Sequence, residues 1–519
     1  MKIALAQINT TVGDLAGNVE RCLEAIEEGG RLGADLVVLP EMAIQGYPPR
    51  DILLDTSFVE AVTEATADLA ELAAGGPPAL VGTIAFSGNA TINHPGLHNV
   101  AALLDRGDVI PAAIKQLLPV YDVFYEPRWF VPGPPSSPLS IAGRRVGVLI
   151  CEDMWDESYP IHPGADLVAA GAEVLMALSA GPYRRGIRKE RLHHARRQGC
   201  PLVHVNQVGA TDELVFDGAS FALNGEGELV AQLPSFVEAV EVVDLASAEA
   251  VKAADPPVEA GIFNALTTGI RDFGTKNSVP RAFLGLSGGI DSSVVAVLAA
   301  EALGPSNVTG VAIPSRYSDP RSTTIAEDLA RALGINFEVV ALEPLHRAVE
   351  DSLAELLSTD GCGTAQAAGT AAENSQARLR MLILMTFVNR HQGMLLNTSN
   401  KTELTVGYGT LYGDLAGTLS PIGDLTKPQV YDLARWINET RGVIPEFAVT
   451  RPPSAELKPD QVDPFDYRKI SPVLERLVRA NRSNGAIRRA EHKRWHHGII
   501  LKVSEKAFGT GRLIPVTRR

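Results

Sequence analysis

The stretch from Arg281 to Leu303 reads RAFLGLSGGIDSSVVAVLAAEAL and decides the fold of the second half of the chain. An apolar run typical of a buried strand leads into a short segment of glycines, serines and an aspartate, and a helical apolar run follows at once. Glycines between a strand and a helix are typical of a phosphate-binding loop, because backbone N–H groups and the helix N-terminus face the anion. The stretch has neither the lysine of a Walker loop nor a GxGxxG pattern, so it indicates a different phosphate chemistry.

The residues of this loop also indicate what binds there. Gly288 and Gly289 permit a close approach between the backbone and a pyrophosphate, and the neighbouring serines add hydroxyl donors. Asp291 would repel a bare phosphate, so its place at the start of the helix indicates a bound Mg²⁺. On these residues alone, an ordinary helix cap after a glycine turn explains the segment equally well.

Length and composition narrow the class of protein. A chain of 519 residues is too long for one hydrophobic core, so two or more domains are expected. With 45% hydrophobic and 21% charged residues the composition is that of a soluble globular protein, and a net charge of −14 without an extended basic patch argues against a nucleic-acid partner. The N-terminus has no hydrophobic stretch of signal length, and no segment reaches the roughly 20 apolar residues of a membrane span. We therefore expect a cytoplasmic protein with no membrane partner.

Short apolar runs alternate with amphipathic helical patterns from the start of the chain, which predicts α/β domains. The pattern loosens at LASAEAVKAADPPVEAG (245–261), where small residues and a PP pair are typical of a linker. We predict a first domain at 1–245, a linker at 246–261 and a second domain at 262–519. Residues 358–376 are poor in bulky side chains and form a candidate mobile loop.

The spacing of the four cysteines suits neither a metal site nor a disulfide framework, and two of them are expected in the core: Cys22 and Cys200.

Longer segments of the second half resemble known families. GLSGGIDSS (285–293) resembles the loop of the N-type ATP pyrophosphatases, which cleave ATP between the α- and β-phosphates and adenylate a substrate oxygen. Together with ENSQARLRMLIL (373–384), the segment 397–434 and AEHKR (490–494), it resembles NAD⁺ synthetase over about the last half of the chain. Singly, these residues have ordinary explanations: a helix start at Asn374, a solvated lysine at 427, a solvated helix face around 488–497.

This resemblance implies a doubly wound α/β domain that uses ATP and Mg²⁺ to activate deamido-NAD⁺. It implies ATP-binding residues at Gly285, Leu286, Ser287, Gly288, Gly289, Ile290, Asp291, Ser292, Ser293, Thr398, Lys427 and Ser454. It implies residues for deamido-NAD⁺ at Asn374, Glu403, His492 and Lys493, with Asp291 and Glu403 as the metal ligands.

In the first half, three ionisable residues each follow an apolar, strand-like run: Glu41 in VLPEMAIQGYP (38–48), Lys115 in AIKQLLPVYDVFYEPRWF (113–130) and Cys151 in VGVLICEDMWD (146–156). These residue types suit an amidase. A thiolate attacks the amide carbon, a lysine ammonium stabilises the oxyanion, and a carboxylate moves the proton. Taken alone, the cysteine is explained as a core residue, the lysine as a surface side chain and the glutamate as a turn carboxylate.

The motifs LPE, K…LP and CED occur in the same order as in the nitrilase/amidase superfamily, which the chain resembles over roughly residues 1–245. The resemblance implies an αββα sandwich with a Glu–Lys–Cys triad, and Glu126 in FYEPRWF matches a second glutamate that positions the lysine. The first half also resembles the glutaminase domains attached to NAD⁺ synthetases. This resemblance implies a glutamine pocket lined by Tyr121, Ser179 and Arg185.

Over its full length the chain therefore resembles the family of glutamine-dependent NAD⁺ synthetases. The resemblance implies an enzyme that takes ammonia from glutamine, moves it through an internal tunnel and uses it to amidate deamido-NAD⁺, in a homo-oligomer built on dimers of the synthetase domain. Another glutamine-dependent amidotransferase of the pyrophosphatase class is the alternative. Asparagine synthetases place the nucleophilic cysteine at position 2, where this chain has Lys2, and GMP synthetases use a Cys–His–Glu glutaminase. A catalytically silent scaffold is a further alternative, against which the intact triad speaks.

Overall fold

The computed structural model describes residues 1–246, 249–253, 256–357 and 365–512. The chain forms two compact units, Met1–Pro256 and Pro257–Arg519. The predicted linker differs from the structure at its end, because a helix already begins at Val258. The predicted mobile loop is wrong for residues 365–376, which form the first turns of a long helix, while residues 358–364 lie outside the described part.

The described residues of the N-terminal unit form fourteen strands and four α-helices. The strands are β1 (Lys2–Gln7), β2 (Leu36–Val38), β3 (Ala79–Phe86), β4 (Leu97–Asp105), β5 (Asp108–Ile114), β6 (Leu139–Ile141), β7 (Arg144–Ile150), β8 (Val174–Ser179), β9 (Leu202–Asn206), β10 (Val208–Thr211), β11 (Leu214–Asp217), β12 (Phe221–Leu223), β13 (Leu229–Gln232) and β14 (Ala239–Asp244). The helices are α1 (Leu15–Arg31), α2 (Thr56–Leu72), α3 (Pro163–Ala169) and α4 (Ile187–Arg197).

Most of these strands form two six-stranded sheets, in the orders β14-β1-β2-β3-β4-β5 and β13-β12-β9-β8-β7-β6. Side chains on a strand alternate between its two faces, and the alternation divides the core into layers. Ile3 and Leu5 of β1 belong to the same buried apolar cluster as Val148 and Met176 of the second sheet, so one apolar layer lies between the sheets. The opposite faces of the two sheets pack against α1 and α2, and against α3 and α4. The unit is therefore the predicted αββα sandwich.

The cysteine predictions can be compared with this core. Cys22 on α1 and Cys200 before β9 are buried and unbonded to another sulfur. Burial raises the pKa of Cys22 to about 12 and that of Cys200 to about 11. Both are therefore inert core residues, as predicted, and Cys362 lies outside the described residues.

The C-terminal unit contains eleven helices and six strands among its described residues. The helices are α5 (Val258–Lys276), α6 (Ile290–Leu303), α7 (Pro320–Leu333), α8 (Glu343–Ser352), α9 (Ala354–Leu357), α10 (Ala365–His391), α11 (Lys401–Val406), α12 (Lys427–Arg441), α13 (Glu446–Thr450), α14 (Tyr467–Arg479) and α15 (Gly485–Ala490). The strands are β15 (Ala282–Gly285), β16 (Val308–Ala312), β17 (Asn336–Val339), β18 (Met394–Leu395), β19 (Leu419–Ser420) and β20 (Ile499–Ile500).

Four of these strands form a parallel sheet in the order β17-β16-β15-β18. The chain moves outward from β15 to β17 and then returns to the other side of β15, so the strand order reverses at β15. Ligands of open α/β sheets bind at such a reversal, outside the carboxyl ends of the strands. The quoted stretch therefore forms β15, the loop at this point and α6, as its pattern predicts.

Among the described helices, none is long and apolar enough to cross a membrane.

The packing of β3 predicts the effect of one substitution. A Cβ on Gly82 would lie 2.2 Å from the backbone nitrogen of Met42 and 2.4 Å from the carbonyl oxygen of Pro40. Backbone atoms cannot move aside cheaply, so Gly82→Ala is expected to destabilise the N-terminal unit by about 2 kcal/mol. Thermal unfolding measures the loss. Gly75→Ala is the control, because a Cβ there meets nothing within 4 Å; equal melting temperatures for the two variants would contradict the expectation.

Candidate active sites

Cys151 lies at a sharp turn where β7 ends. Its φ of 46° is in the left-handed region that residues other than glycine rarely adopt, and it begins the short 3₁₀ turn Cys151–Met154. The side chain is 8% exposed. Burial raises the pKa of the Cys151 thiol well above its ordinary value, Glu41 raises it further, and Lys115 lowers it. The thiol is therefore protonated at neutral pH and needs a nearby base to act as a nucleophile.

Lys115 follows β5, and its ammonium group lies between two carboxylates. Nζ donates hydrogen bonds to Glu41 Oε1 and to Glu126 Oε1, each at 2.8 Å, and the side chain is only 1% exposed. Burial alone would lower the pKa of Lys115, but the charges of Glu126 and Glu41 raise it well above its ordinary value. The lysine therefore remains a cation near Cys151, as stabilisation of an oxyanion requires.

Glu41 is held on both of its oxygens in the turn that follows β2. Oε1 also accepts a hydrogen bond from Asn99 Nδ2 at 2.7 Å, and Oε2 accepts one from the backbone N–H of Ala180 at 3.0 Å. These bonds fix the orientation of the carboxylate that the sequence predicts as the base. The contribution of Asn99 was not predicted, because it lies inside the apolar run of β4 and no motif surrounds it.

Glu126 holds the lysine from a second direction. It is the buried first residue of the 3₁₀ turn Glu126–Arg128, and Tyr47 Oη donates a hydrogen bond to its Oε1 at 3.4 Å. Burial raises the pKa of Glu126 to about 7; Lys115 acts to lower it and Glu41 to raise it. The structure thus brings Glu41, Lys115, Glu126 and Cys151 into one buried cluster.

The three residues predicted to line the glutamine pocket differ in burial and in their contacts. Ser179 is buried at the end of β8, next to Ala180, and its Oγ has no hydrogen-bond partner among the described residues. Tyr121 is half-exposed and donates to Glu152 Oε2 at 3.0 Å. Glu152 was not predicted as a site residue, although it is the neighbour of Cys151 in the CED motif. Arg185 is half-buried in the segment before α4.

A second site lies in the C-terminal unit, in a cavity of about 300 Å³ at the carboxyl ends of β15, β16 and β18. Most of the residues predicted to bind ATP or metal line it: Gly285, Leu286, Ser287, Gly289, Ile290, Asp291, Ser292, Thr398, Glu403, Lys427 and Ser454. Gly288 and Ser293 support the loop instead. Gly288 has a φ of 72°, and a Cβ there would lie 2.4 Å from the carbonyl oxygen of Ser322, so glycine is required. Ser293 Oγ donates to the carbonyl of Gly289 at 2.8 Å.

Lys427, the first residue of α12, lies between Asp291 and Glu403. Nζ donates to Asp291 Oδ2 and, at 3.5 Å, to Glu403 Oε1. Asn400 Nδ2 donates to Asp291 Oδ1 at 3.1 Å, and the backbone N–H of Asn400 donates to Glu403 Oε2 at 3.2 Å. Burial raises the pKa of Glu403 to about 7; Lys427 opposes this and Asp291 adds to it.

This donor set fits a magnesium ion in chemical type. Two carboxylates converge on one cation, and Mg²⁺ in nucleotide sites is usually bound through one or two carboxylates together with substrate phosphates. Among the described residues no group of three or more His, Cys, Asp or Glu could hold a metal on its own. Further ligands would therefore have to come from the nucleotide and water.

The structure does not bring the remaining predicted residues to this cavity. Asn374 Oδ1 accepts from Thr410 Oγ1 at 2.7 Å, and Lys493 Nζ donates to the carbonyls of Gly407 and Gly409 at 2.7 and 2.6 Å. Both therefore contact one segment, Gly407–Thr410, and His492 beside Lys493 is exposed.

Arg380 was not predicted, although it belongs to the quoted ENSQARLRMLIL segment. It lines the cavity, its Nε donates to the carbonyl of Ile313 at 3.1 Å, and burial lowers its pKa. This half-buried guanidinium adds positive charge to a cavity that is suited to phosphates.

Comparisons with known proteins agree with both halves. A family model described as carbon–nitrogen hydrolase matches residues 2–255, and one described as NAD synthase matches residues 262–506. The chain is 38% identical to a glutamine-dependent NAD⁺ synthetase of Synechocystis sp., with 99% of this chain and 98% of that protein covered. It is 40% identical to one of Rhodobacter capsulatus, with 100% and 98% covered. A solved glutamine-dependent NAD⁺ synthetase from Acinetobacter baumannii, in complex with ADP, has a TM-score of 0.80 at 28% identity and covers 99% and 98%.

Fold and sites together define a two-domain enzyme in which a nitrilase-type amidase is joined to a nucleotide-dependent ligase. The chain belongs to the family of glutamine-dependent NAD⁺ synthetases. The predicted family and the predicted α/β fold are confirmed.

The buried carboxylate of Glu126 predicts a pH dependence of stability. Its pKa is about 7 in the folded unit against an ordinary 4.5, so the folded state keeps a proton that the unfolded chain has released. Its contribution to stability is present below about pH 4.5 and is lost as pH rises to about 7, with a slope of at most about 1.4 kcal/mol per pH unit. Glu126→Gln is expected to flatten this slope, as measured by urea unfolding across that pH range.

Glu60→Gln, on the exposed face of α2, is the matched control and should keep the wild-type slope. A Glu126→Gln unit with an undiminished slope would show that Glu126 is not the titrating group.

Proposed function

We propose that this chain makes NAD⁺ by amidating deamido-NAD⁺ at the expense of ATP, with ammonia that its N-terminal unit releases from glutamine. AMP, pyrophosphate and glutamate are the other products. The observation that supports this most strongly is the buried Glu41–Lys115–Glu126 network beside Cys151, in a chain whose second unit has a cavity of about 300 Å³ lined by the glycine- and serine-rich loop.

In the N-terminal unit, Cys151 attacks the side-chain amide carbon of glutamine. Because burial and Glu41 keep the thiol protonated at rest, the proton passes to Glu41 as the bond to carbon forms. Lys115 faces the negative charge that develops on the amide oxygen. Glu41 returns the proton to the leaving ammonia, and water then hydrolyses the thioester to glutamate. Tyr121, Ser179 and Arg185 orient the substrate.

In the C-terminal unit, ATP lies with its phosphates on the loop Ser287–Ser293. The nicotinate carboxylate of deamido-NAD⁺ attacks the α-phosphate, pyrophosphate leaves, and ammonia then displaces AMP. Lys427 and Arg380 supply positive charge from the protein, and Asp291 and Glu403 are the residues that would hold Mg²⁺. Bound Mg²⁺ would neutralise charge on the phosphates and stabilise pyrophosphate as a leaving group.

Asn374, His492 and Lys493 are proposed to serve deamido-NAD⁺. In support, Asn374 and Lys493 both contact the segment Gly407–Thr410, and Tyr408 of this segment lines the cavity. We further propose transfer of ammonia inside the protein, because free ammonia is scarce at neutral pH, and a homo-oligomer built on dimers of the C-terminal unit. The described cysteines are all free thiols, as is usual in a reducing compartment, which supports a cytoplasmic location. The proposal includes no nucleic acid and no membrane.

The division of labour is tested by Cys151→Ala with glutamine or ammonium as the nitrogen source. The variant is expected to lose NAD⁺ formation from glutamine by at least about 10³-fold, because it lacks the nucleophile. With added ammonium it should make NAD⁺ at the wild-type rate. The assay follows NAD⁺ and pyrophosphate from deamido-NAD⁺, ATP and Mg²⁺.

Cys200→Ala, which removes a core thiol of the same unit, is the control and should keep both activities. Loss of the ammonium-dependent reaction in Cys151→Ala would contradict separate roles for the two units. Absence of NAD⁺ from wild-type protein with either nitrogen source would reject the synthetase assignment.

The second site is tested by Asp291→Asn. Removing this carboxylate takes away a proposed metal ligand and a partner of Lys427, so pyrophosphate release should fall by about 10²-fold or more with either nitrogen source. Glutamine hydrolysis measured alone should persist. Raising the Mg²⁺ concentration should restore part of the rate if the carboxylate holds the ion; a variant with unchanged rate and unchanged Mg²⁺ requirement would exclude that role.

A further inference from the structure

Asp153 is a buried carboxylate that none of the steps above uses. It lies two residues after Cys151 and is 2% exposed. Its Oδ1 accepts hydrogen bonds from the backbone N–H groups of Gln116 at 3.0 Å and Leu117 at 2.9 Å. Its Oδ2 accepts one from the backbone N–H of Ile150 at 3.2 Å. One side chain thus accepts hydrogen bonds from three buried backbone donors, and a buried backbone N–H needs such a partner.

The positions of these donors are informative. Gln116 and Leu117 directly follow Lys115, and Ile150 directly precedes Cys151. Lys115 extends from β5 and Cys151 from β7, and these strands belong to different sheets of the sandwich. The hydrogen bonds within each sheet therefore do not set the distance between the ammonium and the thiol. Asp153 ties the two backbone segments together at the point where the sheets must be in register for catalysis.

The same carboxylate acts on the unusual backbone at Cys151. Its bond to Ile150 closes the 3₁₀ turn across the nucleophile, whose φ is 46°. A strained conformation at a functional residue persists only where neighbouring contacts determine it. Asp153 supplies one such contact from inside the turn itself.

We propose that Asp153 is a positioning residue for glutamine hydrolysis, which fixes the Lys115 backbone against the Cys151 turn and thereby sets the geometry of the ammonium and the thiol. The proposal rests on the glutaminase function proposed above. Asp153 touches no reacting atom; it acts through Lys115 and Cys151. A carboxylate is needed because both of its oxygens accept. The amide of asparagine would present a donor to at least one of the three N–H groups and leave that group unpaired.

The test compares full-length Asp153→Asn and Asp153→Glu with a control in the same turn region, Asp156→Asn. Asp156 is also buried, but its carboxylate pairs with His162 at 3.3 Å. Among the described residues, it makes no hydrogen bond to the backbone next to Lys115 or to Cys151. The measurements are kcat and KM for glutamine, the rate of Cys151 alkylation by iodoacetamide as a function of pH, and NAD⁺ formation from ammonium as a check on the whole chain.

Both Asp153 variants are expected to lose about 10²-fold in kcat, the usual cost of misplacing catalytic groups by about 1 Å. Their KM should stay within about twofold of the wild type, because the substrate contacts remain. Alkylation should become slower and its pH profile should move, since Lys115 no longer faces the thiol in the same way. Asp156→Asn and the ammonium-dependent reaction should be unaffected.

Wild-type kcat and alkylation profile in both Asp153 variants would overturn the proposal, as would a rise in KM with kcat unchanged. If Asp153→Asn unfolds the unit, Asp153→Glu decides, because it keeps the charge and displaces the carboxylate by one methylene. Failure of the proposed glutaminase function can be told apart from failure of this proposal. In the first case wild-type protein would hydrolyse no glutamine, while the alkylation profiles would still report on the placement of Cys151.

Discussion

The arrangement on which the N-terminal unit depends is the burial of one cation, Lys115, between Glu41 and Glu126. Removing charges from water is costly, and a buried ion pair stabilises a fold weakly, if at all. Its value here is organisation. Since an unpaired charge in this place would cost far more than the pair, the turn after β2, the end of β5 and the 3₁₀ turn at Glu126 must all meet at one point. Cys151 is then presented to a cation and a base whose positions cannot drift independently.

The C-terminal unit also holds a lysine between two carboxylates, but this cluster is open to a cavity. Lys427 lies between Asp291 and Glu403, and Asn400 bonds both carboxylates. These residues come from α6, α12 and the start of α11, so the three helix starts converge beside the phosphate loop. Here the cluster lines a cavity rather than a closed core. The cation is thus placed in advance where the phosphates of a nucleotide would arrive, and no rearrangement of the helices is needed to provide it.

Much of this could be predicted from sequence, and the misses have a physical cause. The alternation of apolar runs predicts both α/β units. The short motifs around Glu41, Lys115 and Cys151 predict residues that the N-terminal unit brings together, and the motif around Asp291 predicts part of the cavity lining in the C-terminal unit. Those motifs are local, because each residue ends a strand or begins a helix. Asn99 could not be predicted, since its partner Glu41 is 58 positions away and the pairing of β2 with β3 and of β3 with β4 brings them together. The glycine- and alanine-rich segment 365–376 was expected to be mobile; small residues do not prevent a helix when a long, partly buried continuation follows.

The charge balance of the two clusters explains why they suit different chemistry. Each cluster holds two carboxylates and one ammonium group, so each has an excess of negative charge. Burial raises the pKa of one carboxylate in each cluster, Glu126 and Glu403, to about 7. In the N-terminal unit this excess disfavours a Cys151 thiolate in the resting enzyme. In the proposed mechanism, negative charge should therefore develop only during the reaction, on the substrate oxygen that Lys115 faces. In the C-terminal unit the same excess would repel a polyphosphate. Under the proposed function, a cation bound between this cluster and the phosphates would offset that repulsion, so the acidic residue at the start of α6 fits a metal-bound nucleotide better than a bare phosphate.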